Sequence, residues 1–205
     1  MSAVLALALS LGASLALTAP AGATPPSIPS PSEAAWMLTR LTIAPEGSNS
    51  GYSRDKFLHW ITISGTCNTR EWVLRRDGTG VQVGSNCYPT SGRWYSPYDG
   101  ASWDNPSDVD IDHVVALAGA WRSGASEWTQ SRRQSFANDL SNPELIAVTD
   151  DVNQAKGDQS PDQWKPPLTS YWCTYARMWI DVKYTWSLTA TSSEVAALDS
   201  MLDRC

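Results

Sequence analysis

Positive charge and histidine are both scarce in this chain of 205 residues. The net charge is −6 and the pI is about 4.8, which argues against function through long-range attraction to nucleic acid. A single phosphate group held locally is still compatible with that charge. The chain has two histidines, His59 and His113, and no serine-centred elbow motif, so nothing supports a serine-type catalytic triad.

Long apolar runs are also scarce, and the one present lies at residues 4–17. Small residues follow it at positions 21–23, which predicts a secretory signal peptide over residues 1–23, although no lysine or arginine precedes the apolar core. A membrane or buried helix is the alternative, but the run is short for a span and prolines follow it at once. We therefore expect a secreted protein without a membrane segment.

The rest of the chain predicts one domain. Residues 24–32 are rich in proline and serine, which is typical of a linker without packed structure. Residues 33–205 are numerous enough to bury a core of their own and contain no internal repeat. We expect this single domain to be a monomer.

Four cysteines remain after the signal peptide, at positions 67, 87, 173 and 205. An even number in an exported chain predicts two disulfides, for which three connectivities exist. A zinc site is the alternative, but it needs closely spaced Cys or His pairs, and the sequence has none. We favour Cys67–Cys87, which flanks an apparent hairpin, and Cys173–Cys205, which ties down the last residue.

Residue patterns predict an α+β fold. Residues 71–95, with many glycines, serines and prolines, are expected to be β-rich with tight turns, and residues 51–60 give mixed signals. Strands are predicted at residues 109–116 and 145–148. Predicted helices cover residues 32–41 (capped by Ser32), 117–140 (broken at Gly124), a segment with Asn153 and Lys156 (capped by Thr149, Asp150 or Asp151), 171–188, and a last one capped by Ser192 or Ser193.

The stretch DVDIDHVVALAGAW, residues 108–121, places Asp110, Asp112 and His113 in an otherwise apolar, β-branched run. Apolar strands rarely carry that much charge without a reason. The segments NPELIAV and DDVNQAKGD follow, so that a strand with Asp-His precedes a turn with Asn, a second strand, and a helix with Asn and Lys. This order is similar to the ββα-metal motif of HNH nucleases.

The resemblance extends over most of the mature chain. The chain resembles the secreted HNH nuclease-like family of actinobacteria and fungi, related to the C-terminal nuclease domain of the GmrSD restriction enzymes. The shared segments are YSRDKF, CNTRE, SGRWYSPYDG, DIDHVVALAGAWRSGA, RRQSFANDL, NPELIAV, NQAKGDQSPDQW and YWCTYARMW. The resemblance implies a ββα-metal (HNH) core with flanking helices and an N-terminal β-rich segment, joined by the two disulfides.

The resemblance also implies roles for individual residues. Asp112 and Asn153 would bind one divalent cation, His113 would activate water as the general base, and Asn142 would bond across its loop to hold that base. The chemistry agrees, because an imidazole with an unperturbed pKa of about 6.5 is partly neutral at working pH. Carboxylate and amide oxygens suit Mg²⁺, or Mn²⁺ or Ca²⁺, better than zinc. Asp110 is a rival ligand.

Two features stand against this interpretation. Neighbouring strand residues point to opposite faces, so Asp112 and His113 can share a site only at a strand end or a bulge. The family has proline where this chain has Ala116, which should cost rigidity but removes no catalytic group.

Basic residues near the motif are candidates for holding substrate phosphates. Those favoured are Arg133 and Lys156, which lie nearest the motif in sequence, followed by Arg70 and Arg122, while Arg132 and Lys165 are further candidates. A solvated or structural charge is the alternative for each. His59 is expected to be packed or at the surface. Base stacking by tryptophans is less favoured than core packing for three positions, Trp121, Trp128 and Trp164.

The sequence thus predicts a secreted, metal-dependent endonuclease that cuts DNA, with RNA as an alternative, and with little sequence preference because no separate DNA-reading element is present. A non-catalytic secreted module that uses tryptophans to bind cell-wall carbohydrate is the second hypothesis. It requires neither a metal nor His113. A glycosidase or protease is a third, for which carboxylate pairs are too common to count as evidence.

Overall fold

The computed structural model describes residues 24–205, and the predicted signal peptide, residues 1–23, lies outside them. Within residues 24–205 the helices are α1 (Pro31–Leu38), α2 (Thr69–Asp77), α3 (Leu117–Arg122), α4 (Gln130–Ala137), α5 (Asp150–Lys156), α6 (Trp172–Trp186) and α7 (Ser192–Leu202). The strands are β1 (Thr62–Ser64), β2 (Cys67–Asn68), β3 (Gly78–Val83), β4 (Pro89–Tyr95), β5 (Ser102–Trp103), β6 (Val109–His113) and β7 (Leu145–Thr149). Short 3₁₀ turns cover Arg54–Phe57, Ala125–Glu127 and Thr169–Tyr171.

Strands β6 and β7 form an antiparallel pair at the centre of the molecule. His113 lies opposite Leu145 and Val109 opposite Thr149, and helix α5 begins directly after β7. All five residues of β7 are buried, which agrees with the apolar run over its first four residues. The predicted strand at 109–116 ends three residues earlier, at His113, because the chain then turns into α3.

The segment predicted to be β-rich, residues 71–95, begins instead as a helix. Helix α2 covers Thr69–Asp77, and its N-terminus is closed by a capping box in which Asn68 and Glu71 bond to each other's backbone amides. Residues 77–78 are therefore the junction between α2 and β3, and the hairpin turn lies further on, between β3 and β4. The expectation of a β-rich segment from residue 71 overlooked this cap.

The expected linker is packed at several points. Pro25 and Pro29 are buried, and Arg177 of α6 donates a hydrogen bond to the Pro29 carbonyl (2.6 Å). Helix α1 is capped by Ser30 and starts at Pro31, so the predicted cap at Ser32 is wrong. The cap predicted for the last helix at Ser192 or Ser193 is also wrong.

Thr191 caps that last helix, α7, because its hydroxyl accepts the backbone N–H of Glu194, whose carboxylate in turn accepts the backbone N–H of Thr191. The predicted break at Gly124 is confirmed, since this residue has φ +117° and separates α3 from the following turn. Trp121 is buried in the main hydrophobic core, and Trp128 and Trp164 are partly buried and pack against it, as the core-packing interpretation expected.

Both predicted disulfides are present, Cys67–Cys87 and Cys173–Cys205, with sequence separations of 20 and 32 residues. The first ties the start of α2 to the β3–β4 hairpin. The second ties the C-terminus to α6, against which α7 packs. They confirm the bridges that the sequence favoured.

Removing the second bridge with Cys173→Ala and Cys205→Ala together is expected to lower the free energy of unfolding by about 2–5 kcal/mol, because the unfolded chain gains freedom. Urea unfolding of the double variant beside the native protein measures this loss. An unchanged midpoint and slope would contradict it.

Asp181 of α6 gives the fold a pH dependence. Burial raises the pKa of its carboxyl to about 6, Asp139 adds to the rise, and Oδ2 has no hydrogen-bond partner among the described residues. In the unfolded chain the pKa of this carboxyl is about 3.9. Between pH 3.9 and about 6 the folded state therefore holds a proton that the unfolded state has lost. The stability that this proton contributes is lost as the pH rises. We expect the native protein to lose roughly 1–2 kcal/mol relative to Asp181→Asn between pH 4 and pH 7. Thermal unfolding across this range tests it, with exposed Asp199→Asn as the control that should show no such trend.

Candidate active site

A cleft of about 190 Å³ opens where β6 ends, between the start of α3 and the end of α5. Three of the residues that line it are Asp112, His113 and Asn153, the side chains singled out in the sequence. His113 is the last residue of β6, so the strand end lets it and Asp112 reach one cleft. The remaining lining residues are Tyr52, Arg54, Ile111, Ala116, Leu117, Ala118, Gly157 and Asp158.

The imidazole of His113 is fixed in one orientation. Its side chain is nearly buried, and Nε2 lies 3.0 Å from the carbonyl oxygen of Ala137, which can only accept a hydrogen bond. Nε2 therefore carries the proton of the neutral ring, and Nδ1 is the basic nitrogen. Burial lowers the pKa of His113 to about 3, which the Ala137 carbonyl opposes and the nearby positive charge of Arg54 reinforces. The ring is neutral at physiological pH.

Trp60 holds the other side of this imidazole. The two rings are stacked, with centroids 5.2 Å apart and planes 26° from parallel. Trp60 has φ +61°, and Leu58 has φ +45°, both in the left-handed region that bulky residues avoid. Asn138 stabilises this conformation, since its amide donates to the Leu58 carbonyl (3.1 Å) and accepts the Ile61 N–H (3.1 Å).

Asp112 is bound by two neighbouring side chains. Lys156 donates to Oδ1 (2.8 Å), Tyr98 donates to Oδ2 (2.7 Å), and both donors are fully buried. Lys156 also donates to the backbone carbonyl of His113 (3.0 Å), so one ammonium fixes the whole Asp-His pair. Burial raises the pKa of Asp112, and the charge of Lys156 opposes that rise.

Two side chains of helix α5 bond to two carboxylates of strand β6. Lys156 bonds to Asp112, and one turn earlier on the same helix face Asn153 donates through Nδ2 to Asp110 (3.0 Å). The amide oxygen of Asn153 is left for another partner. Burial raises the pKa of Asp110, while the Asn153 amide lowers it. Asp110 is therefore next to Asn153, as a rival ligand would be, but does not itself line the cleft.

Asn142 lies at a distance from the base. Its Nδ2 donates to Asp139 Oδ2 (2.8 Å) and its backbone N–H to Asp139 Oδ1 (3.0 Å), which closes the loop between α4 and β7. Among the described residues it bonds to Asp139 and not to His113. The loop that it closes includes the segment after Ala137, whose carbonyl does hold the imidazole. Asn142 can therefore act on His113 only indirectly, through the loop that follows Ala137.

The basic residues proposed for phosphate have protein partners. Lys156 is fully buried, which argues against its phosphate contact. Arg133 donates to the carbonyls of Lys56, Ala125 and Trp128. Arg122 pairs with Asp158 (2.6 Å) and Glu46 (3.1 Å). Arg70 contacts two backbone carbonyls at 3.3 and 3.4 Å.

Four residues of the site were missed in the sequence: Arg54, Trp60, Tyr98 and Asn138. Each lies in or beside a segment that the family resemblance had marked, YSRDKF, SGRWYSPYDG or RRQSFANDL. The signal was therefore available, but nothing in the spacing relates these segments to His113, because the chain brings them together only through tertiary contacts. His59, expected to be packed or at the surface, is half-buried against Trp60.

The donor set fits a hard divalent cation. Asn153 offers its amide oxygen, and each Asp112 oxygen accepts one hydrogen bond, which leaves it a lone pair. Among residues 24–205 no group of three His, Cys, Asp or Glu side chains is arranged for a metal, so water and substrate oxygens would complete the coordination. The ammonium of Lys156 is a competing positive charge beside Asp112.

Residues 70–200 match the family model of the C-terminal domain of GmrSD restriction endonucleases. The match covers more than half of the chain and includes β6, β7 and α5. The chain therefore belongs to this family, a class of nuclease-like domains, and the family predicted from the sequence is confirmed.

The chain is 69% identical over 182 residues to a protein of the fungus Arthroderma benhamiae, and the alignment covers 89% of each. That relative is described only as an uncharacterized secreted protein. No solved structure matches the chain. Among residues 24–205, no helix is long and apolar enough to cross a membrane.

Proposed function

We propose that the protein is a secreted, metal-dependent endonuclease that hydrolyses phosphodiester bonds of DNA, and of RNA as an alternative substrate, with little sequence preference. One observation carries this proposal. His113 is neutral, is held through Nε2, and has a basic Nδ1 on a ring that lines the same cleft as Asp112 and Asn153. Membership in a nuclease-like family and the secreted relative support the substrate class and the location.

In the proposed reaction His113 Nδ1 accepts a proton from a water molecule in the cleft. The water oxygen forms a bond to phosphorus, and the bond from phosphorus to the leaving sugar oxygen breaks. That oxygen finally receives a proton from solvent, so the products are an alcohol and a phosphate monoester. A pKa of about 3 makes the free imidazole a weak base. The incoming phosphate raises that pKa, because a nearby negative charge favours the protonated ring.

Asp112 and Asn153 would hold one divalent cation, most simply Mg²⁺, with Mn²⁺ or Ca²⁺ as alternatives. A bound cation would stabilise the negative charge that develops on the phosphate and on the leaving oxygen. The chain's own contribution is to fix Asp112 through Lys156 and Tyr98, and to present the Asn153 oxygen by binding its nitrogen to Asp110.

Metal binding and cleavage can be tested together. Calorimetric titration of Mn²⁺ into the purified protein should show one site, and Asn153→Ala should weaken that binding about 10-fold or more, since it removes one oxygen ligand. The same variant should lose cleavage of a labelled duplex and of single-stranded RNA. Gln154→Ala, on the exposed face of α5, is the matched control. Metal-independent cleavage, or equal affinity in Asn153→Ala, would contradict the proposed site.

A further inference from the structure

We propose that Arg54 is the residue that binds substrate phosphate in the cleft, and that His59 positions it. This inference rests on the proposed nuclease function. Arg54 was not among the basic residues selected from the sequence, yet its side chain is exposed and lines the cleft with His113.

The guanidinium of Arg54 has unused donors. Its Nε donates to His59 Nε2 (3.1 Å), and its two terminal nitrogens have no acceptor among residues 24–205. The side chains of Arg122 and Arg133, by contrast, donate hydrogen bonds to carboxylates and backbone carbonyls of the protein. A guanidinium with free terminal nitrogens can bind two phosphate oxygens at once.

The charge balance of the cleft singles out the same residue. Two carboxylates line it, and each is paired with a cation behind it, Asp112 with Lys156 (2.8 Å) and Asp158 with Arg122 (2.6 Å). Arg54 has no carboxylate within ion-pair distance in the described part of the chain. It is therefore the uncompensated charge of the cleft, and an anion can approach there although the protein as a whole carries −6.

His59 fixes the direction of this guanidinium. Because Arg54 Nε–H donates to it, His59 Nε2 must be the unprotonated nitrogen of a neutral ring. The His59 ring packs edge-on against Trp60 (centroids 5.3 Å apart), and Trp60 stacks on His113. The phosphate-binding group and the base are thus linked through two ring contacts, and Arg54 and His113 line the same cleft.

Binding of a labelled 16-base-pair duplex, measured by fluorescence anisotropy in a His113→Ala background that does not cut, separates this inference from catalysis. Adding Arg54→Gln should weaken binding about 10- to 100-fold, as loss of a charge-assisted contact does. It should also reduce the slope of log affinity against log salt by about 0.9, the value for one phosphate. Arg93→Gln removes the same charge from the exposed β3–β4 hairpin and should change neither quantity appreciably.

Equal losses in both variants would assign the effect to net charge and overturn the inference, as would no loss in Arg54→Gln. If the native protein cuts while Arg54→Gln binds normally, the nuclease stands and the role of Arg54 fails. If the protein binds the duplex through Arg54 but never cuts, the role of Arg54 in binding stands and the nuclease function fails. Absence of both binding and cutting would overturn both proposals.

The positioning role of His59 has its own readout in steady-state kinetics. His59→Leu removes the acceptor and should raise KM several-fold with a smaller change in kcat, whereas His59→Gln offers an amide oxygen to Arg54 and should restore KM at least in part. Equal KM values in the two variants would overturn the positioning step.

Discussion

Replacement of His113 by alanine is expected to reduce the rate of phosphodiester cleavage by about 10²- to 10⁴-fold, the range that one general base contributes. Among residues 24–205 the other candidate bases near His113 already have partners, and Asp158, the second carboxylate of the cleft, is paired with Arg122. His59 has its Nε2 occupied by Arg54, and Asp112 has both oxygens bound by Lys156 and Tyr98. Single-turnover cleavage of a labelled duplex with excess enzyme measures the loss without interference from product release.

The His113→Ala protein must be shown to fold, because the imidazole packs between Trp60 and the Ala137 carbonyl and its removal leaves a gap. Circular dichroism and the unfolding midpoint give that control. Added imidazole, which can enter the open cleft, should restore part of the activity if the missing group is a base. A folded variant that cuts at the native rate would place the base elsewhere.

The second large effect concerns stability. Lys156→Met is expected to lower the free energy of unfolding by about 3–5 kcal/mol, because it leaves the carboxylate of Asp112 buried without its cation. Lys156 is fully buried and Asp112 is 4% exposed, so solvent cannot replace the lost partner. In a domain of this size the midpoint of thermal unfolding should fall by roughly 6–20 °C.

Two further variants show whether this loss comes from the charge. Lys156→Met combined with Asp112→Asn removes both charges, and it should recover part of the stability because the uncompensated carboxylate is gone. Lys56→Met, the same substitution at an exposed lysine, should change stability by less than about 1 kcal/mol. A Lys156→Met protein that unfolds at the native midpoint would show that the pair contributes nothing.

The sequence predicted well where the signal is local. Uninterrupted apolar residues gave β7, helical spacing gave α6, and the glycine at position 124 gave the break after α3. The pairing of the cysteines also followed from their places along the chain. The strand, the helix and the break depend on residues that are neighbours in sequence. The disulfide pairing required only a choice among three connectivities.

The failures have two different causes. Helix α2 was missed because the capping box of Asn68 and Glu71, a local signal in the sequence, was overlooked. The contacts of Lys156 were missed because helical spacing places it on the face of Asn153 but does not say whether that face is open or covered. Tyr98 and β6 cover it, and neither could be placed from spacing alone.

The binding-module hypothesis loses much of its support from the same packing. Trp121 is buried in the hydrophobic core, and Trp128 and Trp164 are partly buried against it, which reduces the surface they can offer to a sugar. Large exposed tryptophans in the described part of the chain are Trp36 and Trp72, and Trp36 is covered on one side by Arg40. A row of exposed aromatic side chains, which a carbohydrate surface needs, is not formed by these two.

Conversion of supercoiled plasmid to open circles tests the central claim most directly. The purified native protein is incubated with plasmid in Mg²⁺ and in excess chelator, beside His113→Ala and the control Arg93→Gln. We predict nicking in Mg²⁺ by the native and control proteins, none in chelator, and nicking that is slower by about 100-fold or more with His113→Ala. Intact plasmid with every divalent cation offered, Mg²⁺, Mn²⁺ and Ca²⁺, would contradict the account and leave a nuclease-like scaffold with a different role.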